Sequence, residues 1–285
     1  MGNRRIVAWV APLVAAALAL PGCRGDAPTA PPAEAPTPGD TVRLLTAHLR
    51  GNDLEAFARD AVTPAIHGQL EVAWREGRTR WPLDQLPFAQ HLPRAMAALS
   101  APDAEKTLQQ GFDRQLANAS LASAAEFLTV FTVQYITQQG DFSPSEREHY
   151  PQLVQALGAW AGQAPIGDRA RAQAAIATMA TAAREAALDS EQAFADAGME
   201  ESLRRMSKVL ATGKQVLASY GFDLDADLGG MQVQLQSQTG DLARVRLQYT
   251  LAGTPVDTIV NLERREGRWY VSDFLRHAEA AIAPE

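Results

Sequence analysis

Residues 231–251 read MQVQLQSQTGDLARVRLQYTL, and the period of that stretch is two. Met231, Val233 and Leu235 alternate with Gln232, Gln234 and Gln236. Beyond Thr239-Gly240-Asp241, Ala243, Val245, Leu247, Tyr249 and Leu251 alternate with Arg244, Arg246, Gln248 and Thr250. Such alternation marks strands with one buried and one solvated face, and the intervening Gly-Asp turn joins them as a hairpin. Toward the C-terminus, Gly253-Thr254-Pro255 leads into a third run near Val256 to Glu263. Glu266-Gly267 then turns into Arg268-Trp269-Tyr270-Val271, and a short helix over Arg276 to Ile282 closes the chain. Four runs joined by short turns predict an antiparallel meander whose apolar face needs a cover.

Toward the N-terminus the period changes to that of a helix. Val42, Leu45 and Leu49 share one helical face, with Gly51 as a stop, and Asn52 with Glu55 fits a cap for a second helix. Thr63-Pro64 opens a third, with a capping hydroxyl followed by proline at the first helical position. Trp81-Pro82 and Leu86-Pro87 mark a loop, and Ser100 with Asp103 opens a helix carrying Leu108, Phe112 and Leu116. Ser143-Pro144-Ser145-Glu146 is a capping box. Asp168 caps an alanine-rich helix through Ala187, and Leu203, Met206 and Leu210 carry a further stripe toward Tyr220. The expected fold class is therefore α+β: a mainly helical body, residues 40–222, followed by a four-stranded antiparallel β-meander packed on helices, residues 223–285.

The 285 residues carry a net charge of −7, which argues against a nucleic-acid partner held by phosphate neutralisation. One cysteine, Cys23, excludes an intrachain disulfide or a thiolate metal cluster. The five histidines (His48, His67, His91, His149, His277) show no i,i+4 pair, and no Gly-x-Ser-x-Gly elbow occurs. Asp223, Asp225 and Asp227 alternate as at the start of a calcium loop. Leu228 and Gln234 nonetheless stand where that loop needs glycine and glutamate, so no metal and no cofactor is expected. The meander's arginines are balanced by acids and read as a mixed solvated face. Tyr249 and Trp269 are the candidate lining of a ligand pocket, and no catalytic residue is assigned.

Arg4-Arg5 precedes an apolar run from Ile6 to Leu20, interrupted by Pro12, and Leu20-Pro21-Gly22-Cys23 closes it. This is the layout of a secretory signal, too short for a membrane span. The Leu20-to-Cys23 segment resembles the lipobox of bacterial lipoproteins. The resemblance implies cleavage before Cys23, a diacylglycerol on its sulfur and an acylated new amino terminus, so that membrane lipid is a partner through Cys23. Residues 1–22 are then the signal peptide, and residues 23–39, with five prolines after Cys23, the lipidated cysteine and a disordered tether. Losing Arg4 and Arg5 takes the charge from −7 to −9. Arg24 stands where an aspartate would resemble an inner-membrane retention signal, which favours the periplasmic face of the outer membrane.

A second resemblance lies in residues 262–271, LERREGRWYV, which look like the last hairpin of the cystatin-like folds related to nuclear transport factor 2. Residues 49–55, LRGNDLE, resemble the helix break near the start of such domains. Together they imply one cone-shaped domain split by a long helical insertion. Such cones hold an active site, bind a ligand or are packed shut, so the resemblance names no reaction. The leading functional expectation is a non-catalytic, lipid-anchored envelope protein acting through contacts with an envelope protein partner or in envelope maintenance. The alternatives are a module binding a small apolar ligand between helices and sheet, and an enzyme of unrecognised type.

Overall fold

The computed structural model describes residues 36–85, 91–117 and 121–283. The signal peptide, Cys23 and the tether as far as residue 35 lie outside the described residues, as does Leu86-Pro87. Helix α1, Pro38–Arg50, starts earlier than its apolar stripe suggests. Thr37 accepts from the Asp40 backbone N–H at 3.2 Å while Asp40 accepts from the Thr37 N–H at 2.9 Å, and Pro38 fits the first turn. Helix α1 thus begins inside the stretch expected to be tether as far as residue 39: Thr37-Pro38 is the same start signal as Thr63-Pro64.

Helix α2, Leu54–Ala61, is capped by Asp53, which accepts from the Ala56 N–H at 2.9 Å. Asn52, the expected cap, instead takes the left-handed turn that ends α1, at φ 57°. Helix α3, Pro64–Arg75, follows Thr63 as expected, and a 3₁₀ turn at Leu83–Gln85 follows Trp81-Pro82. Helices α4 (Leu92–Ser100), α5 (Ala104–Gln115), α6 (Ala122–Gln138), α7 (Pro144–Gln163) and α8 (Arg169–Ala186) come next. Helix α9, Glu191–Ser219, breaks at Gly198, whose φ of 73° suits glycine. The break leaves the Phe194 carbonyl to accept from Trp74 Nε1 at 3.0 Å and from the Ser202 hydroxyl at 3.2 Å.

The short link before the sheet is helix α10, Leu224–Gly229. Its aspartates have separate partners. Asp223 caps the helix at the Ala226 N–H, Asp225 pairs with Lys214 at 2.6 Å, and Asp227 accepts from the Ala252 N–H at 2.7 Å.

Strands β1 (Gln232–Thr239), β2 (Leu242–Leu251), β3 (Thr254–Arg265) and β4 (Arg268–Val271) form one antiparallel sheet in sequence order. Val245 pairs with Val260, Leu247 with Thr258 and Leu262 with Val271, so the inward positions of three strands align. Helix α11, Ser272–Ile282, begins directly after β4. The body from Pro36 onward is one compact unit. Its main core joins Val42 and Leu45 of α1, Trp74 of α3 and Leu203 of α9 to Val245, Leu262 and Leu275 of the C-terminal part. The α+β architecture with a four-stranded meander on helices is therefore the fold. The first strand runs along an edge and is largely exposed, Leu235 at 52%.

Candidate functional site

Between the covered face of the sheet and helices α1, α7 and α11 lies a cavity of about 270 Å³. Val42, Leu45 and Leu49 form its α1 wall, and Leu247, Tyr249 and Val260 its sheet wall. Polar groups enter from α7 (Ser145, Glu146, His149, Tyr150) and from Asp273 at the start of α11. A second cavity, of about 200 Å³, shares Leu49, Phe57, Tyr150 and Phe274 with the first and continues toward Trp81 and Leu83.

The polar wall is set by the first turns of α7. Ser143 accepts from the Glu146 N–H at 3.2 Å, and Glu146 accepts from the Ser143 N–H at 2.8 Å, so the capping box is real. Glu146 is also buried, and it accepts from Tyr150 Oη at 3.1 Å and pairs with His277 and Arg276 of α11. Burial pushes its pKa up. The bonds from His277 and the Ser143 N–H and the charges of His277 and Arg276 outweigh that and bring it to about 2.

One position before it, Ser145 donates to Asp273 at 2.6 Å and lies 3.0 Å from the Ser143 hydroxyl. One turn further on, His149 Nε2 lies 2.7 Å from Tyr249 Oη. Burial lowers the His149 pKa to about 4, against the pull of the Asp273 carboxylate, and burial raises that of Tyr249. Both rings are therefore uncharged at neutral pH. Each hydroxyl and ring nitrogen here is a neutral hydrogen-bonding group against an apolar wall.

Because the folded-state pKa of His149 lies below its ordinary 6.5, protonation favours the unfolded chain. The contribution of neutral His149 is fully present above pH 6.5 and is lost as pH falls from 6.5 through 4. It amounts to about 3 kcal/mol at most. Denaturant titrations at pH 7 and pH 4.5 should show that loss, and His149→Gln should flatten the slope in this window. An unchanged slope in the variant would assign the acid sensitivity elsewhere.

Of the two residues expected to line a pocket, the structure brings Tyr249 to the cavity. Trp269 is buried on β4, accepts from the Thr41 hydroxyl through its carbonyl at 3.2 Å, and lies beneath the Arg264 guanidinium, outside the cavity wall. Ser145, His149 and Asp273 were not singled out by the sequence. The available signal was the i,i+4 pair Ser145/His149, which puts two polar groups on one helical face directly after a strong cap. Among the described residues, no three His, Cys, Asp or Glu side chains gather as metal ligands. Comparison with protein-family models, with curated proteins and with solved structures finds no match for this chain.

Proposed function

We propose that this protein is a lipid-anchored envelope module that binds a small, uncharged amphiphile in the cavity between α1, α7, α11 and the sheet. One observation carries this reading: an apolar-walled cavity in which Ser145, His149 and Tyr249 offer neutral hydrogen-bonding groups. Pockets of this composition fix the apolar body by burial and the orientation by a few polar groups. The carboxylates of Glu146 and Asp273 disfavour an anionic head group. Binding rather than turnover fits the pairing, because Ser145 donates to Asp273 while the His149 imidazole engages Tyr249. Both stretches that resemble the cystatin-like superfamily border this region: Leu49 ends the α1 wall, and Val271 of the last hairpin also lines the cavity.

The test compares n-octanol with octanoate in calorimetric titration and thermal melting. A ligand that binds only the folded state must raise the melting temperature as its concentration increases. Octanol should bind and octanoate should bind more weakly by about tenfold, equivalent to about 1.4 kcal/mol. Val260→Phe, which fills the cavity, should abolish binding while the protein still melts cooperatively. Equal binding of both compounds, no binding of either, or undiminished binding to the filled variant would refute the reading.

The anchor half of the proposal rests on the Leu20-to-Cys23 segment. Cells fed a labelled fatty acid should label the wild-type chain and not Cys23→Ala. Equal label in both, or none in either, would rule out acylation at this residue.

A further inference from the structure

Helix α6 is packed inside out. Phe127, Leu128, Val130, Phe131 and Tyr135 are 70%, 58%, 62%, 60% and 47% exposed. At 100° per residue these five share one face, with Phe127, Phe131 and Tyr135 stacked one turn apart. The opposite face, which meets α7, carries Ala125, Thr129, Thr132, Val133 and Ile136, of which only Ile136 is large. The two helices approach closely there. A Cβ added to Gly158 of α7 would overlap the Thr129 hydroxyl, and one added to Gly162 would lie 3.7 Å from Ala122. Thr129 satisfies its own hydroxyl on the Ala125 carbonyl at 2.7 Å. Small side chains between helices with large apolar ones outside is the packing of helices in apolar surroundings, where no water drives the large groups inward.

We propose that this face of α6 lies in the bilayer surface to which the chain is tethered, with Phe127, Leu128, Phe131 and Tyr135 among zwitterionic phospholipids. The inference rests on the anchor at Cys23; two observations select a lipid surface over a second copy of the chain, and a third selects the kind of lipid. First, the path from Cys23 to Pro36 is 13 residues, at most about 45 Å. A body held that close meets the bilayer at a high effective concentration. Second, the five side chains expose about 500 Å² together. A stable dimer needs about 800 Å² from each partner. Third, no lysine or arginine occurs between Arg114 and Arg147, and Glu126 is the only charged residue of α6. Attraction to anionic lipid is therefore absent, and apolar contact has to do the holding. The helix lies on the membrane and does not cross it: it has 17 residues, one face is occupied by α7, and no described helix is long and apolar enough to span.

The mature chain has one cysteine, which acylation blocks, so a new cysteine is the only free thiol. Phe131→Cys and Leu128→Cys, each carrying a nitroxide, are reconstituted into phosphatidylcholine vesicles beside Gln238→Cys on the exposed strand β1. Labels at residues 131 and 128 should show oxygen-to-nickel-complex accessibility several-fold above residue 238, as lipid-immersed positions do. Mass spectrometry of the same samples reads acylation separately. Labels on an acylated chain that match residue 238 would overturn the membrane face while leaving the anchor intact. Dipolar broadening with both reagents excluded would overturn it in favour of a second copy. A chain without acyl groups would remove the tether, and this inference with it.

Discussion

A chain ending at Gly221 should aggregate or remain loosely packed, and residues 223–285 alone should fail to fold. The core is shared across that boundary. Val245, Leu262, Tyr270 and Leu275 are at most 1% exposed and belong to the same cluster as Val42, Leu70, Trp74 and Leu203. Specific bonds cross as well: Thr41 to the Trp269 carbonyl, Lys214 to Asp225, and an edge-on contact of Phe57 with Phe274 at 5.6 Å. Each large apolar side chain returned to water costs about 1.5–3 kcal/mol. Four of them already approach the 5–15 kcal/mol that holds a domain together. Size-exclusion chromatography and thermal melting of both fragments test this. Two soluble monomers with independent, sharp transitions would show two domains.

Replacing Glu146 should be the most damaging single change at the polar wall. Glu146→Ala removes the partner of the Ser143 N–H, of Tyr150 Oη, of the His277 ring and of the Arg276 guanidinium at once. Breaking a buried pair typically costs 3–5 kcal/mol, and Glu146→Gln, which keeps the size and an acceptor, should cost about half. The pH signature identifies the cause. The Glu146 folded-state pKa of about 2 lies below the ordinary 4.5, so its contribution is complete above pH 4.5 and is lost as pH falls toward 2. Wild type should therefore lose stability across that window, and both variants should lose less there. Chemical denaturation at pH 7, 4.5 and 2.5 measures this. A Glu146→Ala protein as stable as wild type at pH 7 would mean the cluster is ornamental.

The strands and their turns were legible because their signals are local. Alternation along a strand needs only the pleat, and the turn expected at Glu266-Gly267 puts both residues at positive φ in the structure. The turn expected over Gly253-Thr254-Pro255 lies instead at Ala252-Gly253, with Thr254 and Pro255 already paired in β3. The caps at Thr63, Ser143 and Asp168 were legible for the same reason: the capping side chain and the backbone it serves are neighbours in the chain. Helix α6 was missed because its apolar residues follow no core-facing stripe. Its small face is the packed one, which inverts the pattern that periodicity detects.

What the sequence by itself determined is a helical body followed by an antiparallel meander, the caps named above and the strand face that carries Val245, Leu247 and Tyr249. Each follows from side-chain direction along a single segment. What only the tertiary structure decided is which polar residues meet. Ser145 and Asp273 are 128 positions apart, Glu146 and His277 are 131 apart, and His149 and Tyr249 are 100 apart. Their meeting depends on how α7 and α11 dock on the sheet, a property of shape and packing that no local pattern encodes. The same packing leaves Trp269 in the core while Tyr249 reaches the cavity. It also brings Glu146, still a helix cap, against Arg276 and His277 of α11.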